Sequence, residues 1–131
     1  MVILGHPDIP FEPLYFVESL EEIERTPPNA TLWLGAWQEA KELAKHCSAQ
    51  RLPFAVMAQN ATEAALANAL GARYILAEFT LAESLQKLAD HYLFDAKIVV
   101  PIHQEEEMAS ALASGIDGVI FQDAIKWVEQ P

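Results

Sequence analysis

Two stretches of the chain repeat one order of polar and apolar positions. Residues 63–78 and 107–122 each begin with an alanine-rich segment, continue through a glycine and end in a short apolar run. Gly71 and Gly115 stand where a helix end needs a positive φ, a conformation that glycine adopts without steric penalty. Each stretch therefore predicts a helix followed by a buried strand.

The same alternation extends along most of the chain. Six apolar runs predict strands, and helical segments fill the five gaps between them. The predicted strands lie at 13–17, 31–34, 53–57, 74–77, 97–102 and 118–121, and the helices at 19–25, 37–50, 60–71, 80–92 and 105–113. A further short strand is predicted at 1–4, before a loop with three prolines, and a last short helix from Asp123 to about Glu129.

Strands that read as continuous apolar runs and alternate with helices predict a parallel sheet covered on both faces. We therefore expect an α/β fold, an open three-layer sandwich whose mostly parallel sheet has five to six strands in a flavodoxin-like or Rossmann-like order. Six units are too few for the usual eight-stranded barrel, and an open half-barrel is the alternative. Residues 1–4 are expected to form an antiparallel edge strand or to lie apart, because the following loop is too short for a parallel crossover. One domain, 1–131, is expected.

Composition narrows the choice of partners. Nineteen acidic against eight basic residues give a formal net charge of −11. This charge disfavours nucleic acid and anionic membrane surfaces, which are bound by basic patches. It suits solubility, a basic protein partner or a cation. No apolar run approaches the ~20 residues of a membrane span, no secretion signal is recognisable, and the one cysteine forms no internal disulfide, so a cytoplasmic protein is expected.

Polar or aromatic side chains follow the predicted strands. Ligands of open α/β sheets bind beyond the carboxyl ends of the strands, so these residues are the candidates for a ligand site. They are Glu18, Trp37, Gln59, Glu78, His103, Gln122 and Asp123. The alternative is that they are polar because loops face water, and that several of them cap helices.

The predicted helix starts argue against a phosphate ligand. Their first turns contain acids of their own, among them Glu22, Glu39, Glu63, Glu83 and Glu107. Such carboxylates stabilise the helix dipole by about 0.3–1 kcal/mol each and would repel a phosphate. No GxGxxG motif follows a predicted strand and no GxxxxGK[ST] motif occurs. We therefore predict no nucleotide site and no cofactor.

One unit of the chain resembles a known family. Residues 111–121, Ala-Leu-Ala-Ser-Gly-Ile-Asp-Gly-Val-Ile-Phe, resemble the late βα unit of phosphate-binding (βα)8-barrel enzymes. The resemblance implies a βα architecture. In those families the strand continues into a glycine- and serine-containing turn that holds the phosphate, whereas Gln122-Asp123-Ala124 stands here. This departure argues against a phosphate site, and no catalytic residue is transferred.

His103 is the strongest candidate for acid–base chemistry, because it follows a buried strand and imidazole titrates near neutral pH. Glu78 follows the preceding strand and would orient the imidazole as a general base if the two strands are neighbours. The alternative for His103 is a hydrogen bond to a local carbonyl at the start of a helix. Glu18, Glu78 and His103 match no known metal-ligand spacing, so no metal site is predicted.

Two classes of function are consistent with these patterns. The missing catalytic motifs, the alanine-rich helices and the acidity favour a small non-enzymatic domain that acts through protein contacts, as a homodimer. The alternative is a small-ligand-binding protein, or an enzyme, with a site at the carboxyl ends of the strands that uses His103 and Glu78. Whether Glu18, Glu78 and His103 converge is the observation that separates the two classes.

Overall fold

The computed structural model describes residues 1–128, and these residues contain one eight-stranded sheet flanked by helices. The strands are β1 (Val2–Leu4), β2 (Leu14–Phe16), β3 (Thr31–Ala36), β4 (Phe54–Met57), β5 (Tyr74–Leu76), β6 (Lys97–Pro101), β7 (Gly118–Ile120) and β8 (Ile125–Trp127). The helices are α1 (Leu20–Glu24), α2 (Trp37–Gln50), α3 (Ala61–Ala69), α4 (Phe79–Tyr92) and α5 (Glu107–Ala113), and a 3₁₀ turn spans Gln122–Ala124. The predicted α/β class and the five helices between β2 and β7 are confirmed.

The strand order is β1-β7-β6-β5-β4-β3-β2-β8, and every neighbouring pair is parallel. From β2 to β7, strands that follow one another in the chain are also neighbours in the sheet. Right-handed crossovers between such neighbours place every helix on the same face, and the sheet curls into a half-barrel. The fold is therefore neither the expected flavodoxin-like or Rossmann-like sandwich nor a sheet of five to six strands, but the half-barrel alternative with eight strands.

Side chains alternate along each strand between two apolar cores. Ile75, Ile98 and Val119 belong to the outer core, which packs the sheet against the helices. Their strand neighbours Tyr74 and Val99 belong to the inner core, to which none of the five α-helices contributes. The curled sheet thus covers its own inner face. This explains why the strands read as apolar on both sides although helices lie on only one.

The position of β1 differs from the prediction. It is parallel to β7, with Val2 opposite Gly118, and it is part of the main sheet. The loop that follows needs no crossover, because β1 and β8 are the two edges of the sheet and the curl brings these edges together. At this seam an ideal Cβ on Gly5 would lie 3.0 Å from the backbone nitrogen of Ala124. The residue after β1 therefore packs against the turn that joins β7 to β8.

The end of the described chain also differs from the prediction. Residues 122–127 form the 3₁₀ turn and β8 instead of a helix from Asp123 to about Glu129, and position 129 lies outside the described residues. Strand β8 pairs with β2, with Trp127 opposite Phe16. The open edge of β2 offers backbone groups that need partners, and this pairing outweighs the local helical preference of a short segment.

The helix ends follow the predicted chemistry. Gly71 and Gly115 have φ values of +91° and +70°, as the sequence repeat requires. The side chains of Ser19 and Asn60 accept hydrogen bonds at the starts of α1 and α3, which satisfies backbone donors that the helix leaves free. Among the described residues, no helix combines the length and the apolar character needed to cross a bilayer.

Candidate functional site

The carboxyl ends of the strands surround an open mouth above the inner core. The larger of two cavities there has a volume of about 770 Å³. The loop after β1, the end of β2, all three residues of β8, the middle of β3 and the 3₁₀ turn line it. Its aromatic lining consists of Phe11, Phe16, Trp33 and Trp127, and its polar lining includes Gln122 and Asp123.

Three of these rings form a row across adjacent strands. Phe16 of β2 stands opposite Trp33 of β3 on one side and opposite Trp127 of β8 on the other. Side chains directly opposite in neighbouring strands are close enough to interact. Strand alternation directs the row inward, because Leu14 and Ile125, two residues before Phe16 and Trp127, pack in the inner core. We call Trp127, Phe16 and Trp33 the aromatic row.

The aromatic row is incompletely covered. The rings of Phe16 and Trp127 meet edge to face, with centroids 5.0 Å apart and an interplanar angle of 73°. Trp127 is 73% exposed, whereas Phe16 and Trp33 are half-buried. A large indole exposed at the edge of a cavity leaves apolar surface in water that a ligand would bury.

A smaller cavity of about 220 Å³ adjoins the larger one. The two cavities share Trp33, Gln122 and Ile125 as lining residues. The remaining lining of the smaller cavity is largely apolar and comes from the ends of β4 to β7, with His103 at its rim. The mouth thus extends from the seam between the edge strands to the middle of the sheet.

The loop that holds His103 is fixed by the carboxylate of Glu107. The backbone N–H groups of His103 and Gln104 each donate to Oε2 of Glu107 at 2.7 Å. These hydrogen bonds, from Gln104 first and His103 second, lower the pKa of the Glu107 carboxyl below its ordinary value of 4.5. The exposed imidazole of His103 therefore lies on a loop of defined shape beside the smaller cavity.

His6 joins two loops of the mouth. Its Nδ1 accepts a hydrogen bond from the backbone N–H of Asp8 at 3.1 Å, so the ring proton belongs on Nε2. Nε2 donates to Oε2 of Glu105 at 3.1 Å, and the ring meets Phe121 edge to face at 5.7 Å. The loop after β1 is thereby tied to the loop after β6.

Three of the seven predicted site residues lie in the mouth. His103 lines the smaller cavity, Asp123 lines the larger one, and Gln122 lines both. Trp37, expected at the rim, is 5% exposed and packs in the outer core beneath α2. It begins a helix whose first turn faces the sheet, so its ring replaces solvent there instead of facing a ligand.

The other three predicted residues lie at helix starts. The backbone N–H of Glu18 donates to the carboxylate of Glu22, and that of Gln59 donates to the carboxylate of Glu63. Glu78 is exposed at the residue before α4, where its side chain makes no capping bond. None of the three lines either cavity of the mouth.

Glu18, Glu78 and His103 do not assemble into one group. Strands β5 and β6 are neighbours, yet within residues 1–128 no hydrogen bond or ion pair joins Glu78 to His103. The same part of the chain contains no cluster of three or more His, Cys, Asp or Glu side chains suited to a metal ion. The shared rim therefore brings the strand ends to one side without bringing these side chains together.

Sequence reasoning did not include the aromatic row among the ligand candidates. Its signal is the alternation of strands 14–16 and 31–34, which turns Phe16 and Trp33 away from their outward-facing neighbours Val17, Leu32 and Leu34. The alternation alone does not reveal that β8 adds a third ring, because that depends on the pairing of β8 with β2.

The mouth has the physical features of a small-molecule site. Such sites are concave, mostly apolar cavities of roughly 300–1,000 Å³ with a few polar groups, and they favour the carboxyl ends of parallel strands. The larger cavity, at about 770 Å³, lies within this range. No protein-family model matches the chain, and no curated protein matches it. The geometry of the mouth is therefore the basis for assigning a function.

Proposed function

We propose that this protein binds a small organic molecule in the mouth of the half-barrel. The observation on which this proposal rests is the cavity of about 770 Å³ at the carboxyl ends of the strands, lined by the aromatic row. Aromatic side chains give a ligand large contact areas at little cost in side-chain entropy. The proposed role is the ligand-binding alternative that the sequence suggests, with the aromatic row in place of Glu78.

The packing beneath the mouth supports a preformed site. Leu14 and Tyr74 fill the inner core at the amino ends of β2 and β5, where both are buried. The side chains above them, toward the carboxyl ends, leave the two cavities open. A rigid floor under an open apolar mouth lets a ligand bind without first ordering the protein, which favours affinity.

The same geometry favours binding over catalysis. Acid–base catalysis requires the base to lie within hydrogen-bond reach of the proton it takes and usually to be oriented by another group. In the described part of the chain the side chain of His103 has no hydrogen-bond or ion-pair partner. His6 does have an orienting partner in Glu105, but it does not line either cavity of the mouth.

A ligand-observed NMR screen of a diverse fragment library tests the proposal. We expect several fragments with flat apolar bodies to give saturation-transfer signals with the wild-type protein. Trp127→Ala removes the most exposed ring of the aromatic row. It should raise the dissociation constants of these fragments roughly tenfold, which corresponds to a loss of about 1.4 kcal/mol of binding free energy. Because Trp127 is 73% exposed, this variant is expected to fold.

Tyr92→Ala is the matched control for this experiment. Tyr92 is 69% exposed at the end of α4 and lines neither cavity of the mouth. Its removal deletes a comparable exposed ring and should leave fragment binding unchanged. A library that gives no hits, or hits that Trp127→Ala leaves intact, would show that the mouth is not a binding site.

Self-association is the second candidate function, and the outer surface of α3 and α4 favours it. A groove of about 500 Å³ lies there, with Ala65, Leu88 and Tyr92 in its lining. Leu93 follows α4 and is 83% exposed. It adopts a φ of +55°, a left-handed conformation that is uncommon outside glycine and asparagine. This conformation closes the end of α4, whereas the exposure of the leucine leaves apolar surface that a partner would bury.

A second copy of the chain is the partner that we propose for this groove. Each copy has a net charge of −11, so two copies can meet only where carboxylates do not oppose one another. The lining of the groove contains no charged residue, and isologous pairing of one apolar patch is the commonest route to a dimer. The expected basic protein partner stays a prediction.

Leu93→Asn tests the dimer with opposite effects on two measurements. Asparagine tolerates a positive φ better than leucine, so the free energy of unfolding of the monomer should rise by a few tenths of a kcal/mol to about 1 kcal/mol. If Leu93 contributes to the dimer, the substitution should raise the dissociation constant of the dimer in sedimentation equilibrium. Wild-type protein that sediments as a monomer up to roughly millimolar concentration would refute self-association.

Two further expectations belong to the same proposal. We infer a reducing compartment such as the cytoplasm, in agreement with Cys47, which is free and buried. The likeness of residues 111–121 to the late βα unit of phosphate-binding barrel enzymes stays a prediction. It does not extend to phosphate binding. The turn at Gln122–Ala124 contains the acid Asp123, and the backbone N–H of Ala124 donates to the carbonyl of Phe121.

A further inference from the structure

We propose that the ligand of the mouth is an organic cation, an alkylated or protonated ammonium group attached to an apolar body. This inference rests on the proposed ligand-binding function and specifies its ligand class. The faces of aromatic rings attract cations that lie within about 6 Å of the ring centroid, and tryptophan is the best of the three aromatic residues at this. The aromatic row contains two tryptophans and one phenylalanine.

The arrangement of the rings leaves faces free for a ligand. Phe11, from the loop after β1, adds a fourth ring to the three of the aromatic row around one cavity. Phe16 and Trp127 meet edge to face, so within this pair only one ring face is covered by the other residue. Trp127 is the most exposed of the four and stands at the opening, where an arriving ligand would meet it first.

The carboxylate of Asp123 and the net charge of the protein favour a cation in the cavity. Asp123 lines the cavity, and its carboxylate forms no ion pair or hydrogen bond within the described chain. Lys126 is the one basic residue of the lining, but alternation along β8 puts its side chain on the opposite face from Ile125 and Trp127. The net charge of −11 adds a long-range field that concentrates cations near the protein.

Several backbone donors beside the smaller cavity are already used, which disfavours an anion there. An anion at a helix start needs free N–H groups. Beside α5, the N–H groups of His103 and Gln104 both donate to the carboxylate of Glu107. The N–H of Phe121, at the end of β7, donates to the carbonyl of Leu4. A phosphate or carboxylate ligand at this end of the mouth would have to displace these bonds, and anywhere in the mouth it would approach a chain rich in acids.

Acetylcholine and its uncharged carbon isostere, 3,3-dimethylbutyl acetate, test the inference because they differ in charge and hardly in shape. NMR titrations of ¹⁵N-labelled protein at low salt should give a dissociation constant roughly tenfold or more lower for the cation. Added NaCl should weaken the binding of the cation and not that of the isostere, since salt screens charge attraction. Trp127→Ala should abolish the difference between the two compounds.

Two asparagine variants separate the role of the carboxylate from general charge. Asp123→Asn should raise the dissociation constant of the cation severalfold and leave that of the isostere unchanged. Asp95→Asn makes the same chemical change in an exposed residue at the amino-terminal end of β6 and should change neither value. Equal effects of the two variants would assign the attraction to net charge alone and overturn the role of Asp123.

The outcomes also distinguish this inference from the proposed function. If the isostere binds as tightly as the cation, the ligand class is wrong and the mouth is still a binding site. If neither compound binds but neutral or anionic fragments do so at the mouth, the cation inference alone is overturned. If the fragment screen is empty as well, both fail.

Discussion

Substitution of Gly5 by alanine tests whether the end of β1 packs against the turn that joins β7 to β8. Gly5 has a φ of +93°, and its added Cβ would lie 3.0 Å from the nitrogen of Ala124 and 3.1 Å from Cβ and the carbonyl oxygen of Phe121. The left-handed conformation costs an L-residue about 1–2 kcal/mol. Overpacking against backbone adds about 1–3 kcal/mol. We expect Gly5→Ala to lower the free energy of unfolding by about 2–5 kcal/mol.

Gly71→Ala is the matched control, because it carries the conformational cost of a positive φ without the steric clash. Gly71 has a φ of +91°, and no atom lies within 4 Å of its added Cβ. Gly71→Ala should therefore lower the free energy of unfolding by about 1–2 kcal/mol. Both changes are to be measured by urea unfolding, in which the variants and the wild type should have equal m-values. Equal losses at the two glycines would show that Gly5 does not pack against the turn at 121–124, and this side of the larger cavity would then be open.

Two further predictions concern titratable groups. The folded pKa of Glu107 is depressed, so its contribution to stability is present above its unfolded pKa and is lost as pH falls through the folded pKa. Glu107→Gln should therefore destabilise the protein at pH 7, and hydrogen exchange at the amides of His103 and Gln104 should become faster. The difference in stability from the wild type should shrink as pH falls below 4.5. An equal difference at every pH would contradict this. Burial raises the pKa of the Cys47 thiol to about 11, so at pH 8 a disulfide reagent should label it only as fast as the protein unfolds, and complete labelling of native protein within minutes would contradict its burial.

The elements of the fold could be predicted because they depend on local patterns. The alternation of helices and strands from β2 to β7 follows from the spacing of apolar residues. Gly71 and Gly115 mark the ends of two helices because a positive φ is needed there, and both adopt one. Asn60 caps α3 through a hydrogen bond to the N–H of Glu63 at 2.9 Å, as its position three residues before a glutamate predicts.

The strand order could not be predicted, because its determinants are not local. A strand such as β5 is buried on both faces whether the second face meets helices or the rest of the curled sheet. Tyr74, Ile75 and Leu76 read as apolar in either case, so the pattern does not distinguish a three-layer sandwich from a half-barrel. The parallel pairing of β1 likewise depends on β7 at the other end of the chain.

The candidate site was predictable to the extent that it follows from strand ends. His103, Gln122 and Asp123 lie in the mouth because the carboxyl ends of parallel strands gather on one side. The aromatic row was not predictable, since Trp127 faces Phe16 only through the pairing of β8 with β2. A segment as short as 125–127 forms a strand because an edge is present to pair with, and that edge is built by distant residues.

The indole ¹H–¹⁵N signals of the three tryptophans test ligand binding at the mouth most directly. Trp33 and Trp127 line the larger cavity, whereas Trp37 is buried in the outer core. Titration with the tightest compound from the fragment screen should shift the signals of Trp33 and Trp127 along one saturating curve and leave that of Trp37 in place. Saturable binding that moves neither Trp33 nor Trp127 would put the ligand elsewhere and contradict the proposed site.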